Sequence, residues 1–156
     1  MKGNYRQLAR ALAHGWFVPI GEGGSHRTLI CEHDAVDAAL LAAAHPAAPG
    51  QVFNVTDGQT PSLREILAAI CAGLGRRPPT GYLPLSWARG GVKVADGFFH
   101  LLGRNTYSFQ VRLDKYLEEV MVSGKKFQRT LGFAPRYDLT TGWRQTLAEM
   151  KQTGEL

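Results

Sequence analysis

The segment TPSLREILAAICAGLG, Thr60 to Gly75, limits the fold more than any other stretch of the chain. Thr60 or Ser62 can cap its amino end, Glu65 stands in the first turn, and Gly75 lies just beyond its last residue. A stretch signalled at both ends in this way is expected to be a helix. Further helices are expected around it. From Asn4 the residues Leu8, Ala9, Ala11 and Leu12 recur at helical spacing up to Gly15. Asp34 is expected to cap an alanine- and leucine-rich helix from Ala35 to Ala44, ended by HPAAPG. LSWARGGVKVADGFFHLLG reads as a helix weakened by its glycines, and QVRLDKYLEEVMV as a helix running into a short extended piece. SGKKFQRTLGFAP reads as a short capped helix ended by Gly132 and Pro135, and DLTTGWRQTLAEMKQ as the terminal helix.

The strand candidates are few and short: Phe17 to Ile20 with Pro19 marking an edge, RTLICEH, and QVFNVTDG. Strand and helix do not alternate tightly enough for a complete doubly wound sheet, and helices carry most of the mass. A chain of 156 residues with 44% hydrophobic content is long enough for one domain with its own core, and residues 1–156 are read as a single domain.

Charge and cysteine usage narrow the function. Eighteen Lys and Arg against thirteen Asp and Glu give a formal charge of +5, which raises a polyanion as partner. The basic groups at Arg76 and Arg77, and at Lys125, Lys126 and Arg129, form no recognisable nucleic-acid module, so solvated faces are the favoured reading over nucleic acid. Cys31 and Cys71 show no metal-ligand spacing and read as buried reduced thiols. With no signal-peptide pattern and no apolar run near the roughly twenty residues of a membrane span, a cytoplasmic protein with no membrane partner is expected.

Catalytic motifs are missing. GEGG, at Gly21 to Gly24, follows one strand candidate and precedes another, so its glycines cannot present a helix terminus to a pyrophosphate. There is no G-x-S-x-G, no P-loop and no persuasive carboxylate pair. No catalytic residue and no metal site are assigned. Arg27, between the glycine-rich turn and a strand candidate, reads either as a solvated surface residue or as an anion grip.

The order of the blocks GNYRQLARAL, FVPIGEGGSHRTLICEHDAVDAALLAA, GQVFNVTDGQTPSLREILAAICAGLGRRP and SGKKFQRTLGFAPRYDLTTGWRQTL resembles the carboxyl-terminal half of extended short-chain dehydrogenases/reductases, the NAD-dependent epimerase/dehydratase family acting on nucleotide sugars. The most specific element is G-E-G followed by R-T-L-I-C-E-H-D, with Arg27 seven residues before Asp34.

The resemblance implies a helix-rich, mixed α/β substrate-binding half without the complete Rossmann sheet. It implies Arg27 as phosphate clamp, Val18 and Ile20 as walls of the base pocket, Asn4 as a polar substrate contact and Arg112 as a second phosphate contact. NAD or NADP is the cofactor implied for the intact relative, none for this chain, and the implied partners are a nucleotide sugar, UDP-linked by preference, and a missing NAD-binding half.

The family's Tyr-x-x-x-Lys pair is not found: Tyr5, Tyr82, Tyr107, Tyr116 and Tyr137 are followed four places on by Ala9, Ser86, Val111, Val120 and Thr141. The chain is therefore expected not to complete the reaction alone, and Met1 is expected to be internal to a longer protein or the start of a cut piece. The rival expectation is a non-catalytic basic interaction or nucleic-acid-binding module.

Overall fold

The computed structural model describes residues 4–91, 114 and 116–156. The helices are α1 (Asn4–His14), α2 (Glu32–Ala44), α3 (Leu63–Leu74), α4 (Lys125–Leu131) and α5 (Leu139–Gln152), with a further helical stretch at 85–91. Much of the helix expected after Leu85, and most of QVRLDKY, lie outside the described residues.

Helix α3 is the centre of the main core. Of its two candidate caps Ser62 is used: its hydroxyl accepts from the Glu65 backbone N–H, and the Glu65 carboxylate accepts from the Ser62 N–H at 2.7 Å. At the other end Gly75 takes a left-handed φ of 68°, which lets its N–H reach the Ala72 carbonyl while Arg76 N–H reaches that of Cys71. Ile66, Leu67 and Ile70 of α3 then pack with Trp143, Leu147 and Met150 of α5 and with Ala9 and Leu12 of α1. Helices α3 and α5 approach closely because Gly73 has no side chain: a Cβ there would lie 2.6 Å from Leu147 Cδ1.

A second, smaller core joins α2 to α4. Phe127 and Leu131 of α4 pack with Ala38 of α2 and with Phe133, and Ile30, Phe53 and Val55 lean against them from the extended segments. The rings of Phe53 and Phe133 lie 5.3 and 5.2 Å from that of Phe127.

Asp34 is not the cap of α2. The helix begins earlier, at Glu32, with Cys31 at the N-cap position, and Asp34 falls inside its first turn with 1% of its surface exposed. Its carboxylate accepts instead from the Arg136 N–H at 3.1 Å and the Tyr137 N–H at 3.0 Å, with the Arg136 guanidinium 3.8 Å away. A buried carboxylate needs donors, and the loop leading into α5 supplies them. Asp34 thereby ties α2 to α5.

The expected strands are extended in backbone but make only isolated bridges among the described residues: Ile20 with Leu83 in parallel, His26 with Ser62 antiparallel, and Arg27 with Val120 in parallel. The Leu29 carbonyl takes a single bond from the Asp57 N–H at 3.0 Å. A run of extended residues becomes a strand only when a neighbour pairs along its length, and these segments meet their neighbours one residue at a time. The described fold is thus helix-rich with little strand.

Both capping boxes depend on carboxylates. Hydrogen bonds from Ser62 hold Glu65, and from Thr141 hold Asp138, below the ordinary carboxylate range. Because the folded-state values are depressed, this stabilisation is present in full above the ordinary range and drains as pH falls through the depressed values. Amide exchange in the first turns of α3 and α5 is expected to accelerate on acidification before the helix interiors respond. Equal acceleration throughout both helices would contradict the assignment.

Candidate functional site

The turn Gly21–Ser25 decides where Arg27 stands. Its carbonyls cap α3: Leu63 N–H donates to Ser25 O at 2.8 Å, Arg64 N–H to Gly23 O at 3.0 Å, and the Arg64 guanidinium to Glu22 O at 2.9 Å. Gly23 has a φ of 67° and would set a Cβ 3.4 Å from the Arg64 backbone nitrogen, so glycine suits both the dihedral and the close approach. With these two donors, the Glu65 N–H and the Ile66 N–H already engaged, the α3 terminus and the glycine-rich turn do not fit a pyrophosphate.

Two residues on, Arg27 is fixed by backbone from two sides. Its N–H donates to Pro61 O at 3.0 Å, while its neighbours exchange bonds with Val120: Thr28 N–H to Val120 O at 2.9 Å and Val120 N–H to His26 O at 3.1 Å. The guanidinium turns toward Tyr116 and donates from Nη2 to the Tyr116 carbonyl at 2.6 Å. A guanidinium carries five donors in a planar fork and stays charged at any relevant pH. Burial pushes the Tyr116 hydroxyl above the ordinary phenol value, while the nearby Ile20 backbone and the Arg27 charge pull it down. The Tyr116 ring in turn rests on Phe17 at 6.3 Å.

Beside this anchor lies a cleft of about 360 Å³ lined by Ile20, the Gly21–Ser25 turn, Leu63, Leu85, Leu117 and Glu119. Ile20 is placed there by its bridge to Leu83 and by Gly21 N–H donating to Leu83 O at 3.0 Å. Glu119 also pairs with His26 at 3.6 Å, setting a carboxylate at the cleft edge.

The expected site residues are only partly brought together. Arg27 meets the Tyr116 carbonyl and Ile20 lines the cleft, but Arg27 is not among the residues lining it. Val18 is 60% exposed and does not line it. Asn4 is the first residue of α1, whose next residue, Tyr5, packs on Trp143 and borders a different cavity, of about 230 Å³, with Cys31 and Asp57. Arg112 lies outside the described residues. Tyr116, Leu117 and Glu119 were not singled out as site residues from the sequence. Nothing local marks them, because Tyr116 meets Arg27 across 89 positions. Neither cysteine is disulfide-bonded; Cys71 is buried and Cys31 half-buried. Among the described residues no His, Cys, Asp and Glu cluster could hold a metal.

No family model matches the chain. Solved structures do match over nearly its whole length. A UDP-glucose 4-epimerase from Thermotoga maritima, solved with UDP-glucose, superposes with a TM-score of 0.65 at 17% identity, covering 98% of this chain and 41% of that one. The enzyme WbmG of Bordetella bronchiseptica, solved with NAD and UDP, gives a TM-score of 0.62 at 15% identity over 96% and 39%. The chain has part of the extended short-chain dehydrogenase/reductase epimerase fold.

Curated relatives agree. The chain is 28% identical to a UDP-glucose 4-epimerase from Vibrio cholerae over 148 residues, 94% of this chain and 41% of that protein. It is also 28% identical to a 4-hydroxy-2-methyl-3-oxo-4-farnesyl-3,4-dihydroquinoline-1-oxide ketoreductase from Stigmatella aurantiaca over 135 residues, 85% of this chain and 39% of that protein. The chain thus spans about two fifths of the length of the curated relatives it matches.

Proposed function

We propose that this chain is the substrate-binding part of an NAD- or NADP-dependent nucleotide-sugar epimerase or dehydratase, with Arg27 holding the diphosphate of a UDP-sugar and Ile20 forming one wall beside it. The observation that carries the reading is the anchoring of Arg27: backbone bonds on both sides and the Tyr116 carbonyl fix its guanidinium, two residues along the chain from the Gly21–Ser25 turn that lines a cleft of about 360 Å³ with Ile20. A preorganised, permanently charged donor fork matches phosphate oxygens bidentately, and holding it in place beforehand lowers the cost of binding. Val18, Asn4 and Arg112 complete the proposed set, with Asn4 and Arg112 as polar contacts contributed from α1 and from the segment preceding Tyr116.

The chemistry is shared with a second half. In this reading a polypeptide carrying the cofactor turn and the Tyr-x-x-x-Lys pair would dock on this chain and hold the nicotinamide cofactor, which would supply hydride chemistry when bound. This chain's own part is to bind the nucleotide and orient the sugar, which supplies positioning rather than proton transfer. The substrates would be precursors of bacterial surface polysaccharide and the compartment the cytoplasm, where the free thiols of Cys31 and Cys71 stay reduced. The ketoreductase relative favours keeping reduction open as the parent chemistry beside epimerisation and dehydration.

Calorimetric titration separates the halves' roles. UDP is expected to bind the chain weakly but saturably, and NAD and NADP to give no micromolar isotherm, since the turn and helix end that resemble a cofactor site are already bonded to each other. A saturable micromolar NAD isotherm would overturn the division of labour. Duplex DNA bound in preference to UDP, with a steep salt dependence, would favour the rival basic interaction module.

A further inference from the structure

The carboxyl ends of α1 and α3 lie side by side, and the chain leaves each of them with residues the proposed function does not use. After α1 come Gly15 and Trp16; after α3 come Gly75, Arg76 and Arg77. The Arg76 guanidinium lies against Gly15, with Nη1 3.4 Å from the position a Cβ would take. Trp16 stacks at a tilt on His14, ring centroids 5.8 Å apart, and is 84% exposed.

Between these ends is a cleft of about 300 Å³. Buried Leu12 and Cys71, with Phe17, give it an apolar floor; Arg76 and Arg77, both exposed, stand at its rim, and among the described residues no carboxylate lines it. The arginines are not needed to finish α3, because the Gly75 and Arg76 N–H groups already serve its last carbonyls.

We infer that this face, Arg76 and Arg77 at the rim of the apolar cleft with exposed Trp16 between its lining residues Gly15 and Phe17 in the chain, seats the chain on an anionic lipid surface. The chemistry fits in three parts. Guanidiniums match headgroup phosphates and are drawn to a negative surface. An exposed indole favours the boundary between headgroups and acyl chains, where its apolar body and its N–H are both satisfied. The apolar floor lies behind the arginines, where the first methylenes of a lipid would reach. Nothing here requires a spanning segment, and no helix among the described residues is long and apolar enough to cross a membrane. The sequence pointed to no membrane partner, since it has no apolar run near the length of a span; a surface contact needs none, and the fold brings Trp16 in from 60 positions before Arg76.

The test is co-sedimentation of the full chain with vesicles of equimolar phosphatidylglycerol and phosphatidylcholine, against vesicles of phosphatidylcholine alone. Binding is expected to the anionic vesicles only and to weaken with salt. Arg76→Ala with Arg77→Ala is expected to lower the partition on the order of thirtyfold, Trp16→Ala to lower it further, and Arg76→Lys with Arg77→Lys to retain most of it. The variants sit on exposed positions, so a helical circular dichroism signal equal to the parent's is expected alongside. Equal sedimentation with both vesicles, none with either, or an alanine pair that binds like the parent would overturn the proposal. So would displacement by millimolar inorganic phosphate, which would make the arginines a site for small anions.

Discussion

Phe127→Ala is expected to destabilise the chain by about 3–5 kcal/mol, the range for truncating a fully buried aromatic. Phe127 is 1% exposed and is the side chain around which the smaller core closes. Its ring lies edge-on to Phe53 and tilted against Phe133, and it shares the cluster with Ala38 and Leu131. Removing it empties the contact among α2, α4 and two extended segments at once. The site can collapse little, because neighbouring Asp34 is held by the Arg136 and Tyr137 N–H groups and fixes α2 against the loop before α5. Typical domains are stable by about 5–15 kcal/mol, so the loss would consume much of the margin. Urea unfolding followed by circular dichroism checks it. A loss below about 1 kcal/mol would mean that the second core does not close as described.

The parts of this fold that could be read along the chain are those whose chemistry is local. Ser62 with Glu65, Asp138 with Thr141, and the glycines at 75 and 132 act within one turn of the helices they end, so α3, α4 and α5 were legible from short stretches. Asp34 was misread as a cap because its residue type and position beside an alanine-rich run satisfy the same local rule. Its real partners, Arg136 and Tyr137, lie more than a hundred positions away. The extended segments were legible as extended but not as isolated bridges, since pairing is a property of the neighbour.

The site divides the same way. Arg27 stood out through its spacing to Asp34 and the resemblance built on it. Tyr116, which anchors it, and Glu119, at the edge of the adjoining cleft, did not, because each reaches the site from a segment with no motif of its own. The resemblance implies both Val18 and Ile20 as walls of the base pocket; Ile20 is set at the cleft by its bridge to Leu83, while Val18 is 60% exposed.

The central claim is that Arg27 holds a nucleotide diphosphate, and the direct measurement is UDP affinity of the parent against Arg27→Ala by calorimetry. Removing a charge-assisted contact costs about 1.5–3 kcal/mol, so a ten- to hundredfold weakening is expected. Because Arg27 also bonds the Tyr116 carbonyl, Arg27→Lys belongs in the same experiment: it keeps the charge, loses the planar fork, and is expected to fall between the two. Matching circular dichroism and melting curves separate lost binding from lost structure. The account predicts the order parent, Arg27→Lys, Arg27→Ala in UDP affinity among equally folded proteins; an Arg27→Ala chain that binds UDP as tightly as the parent would contradict it.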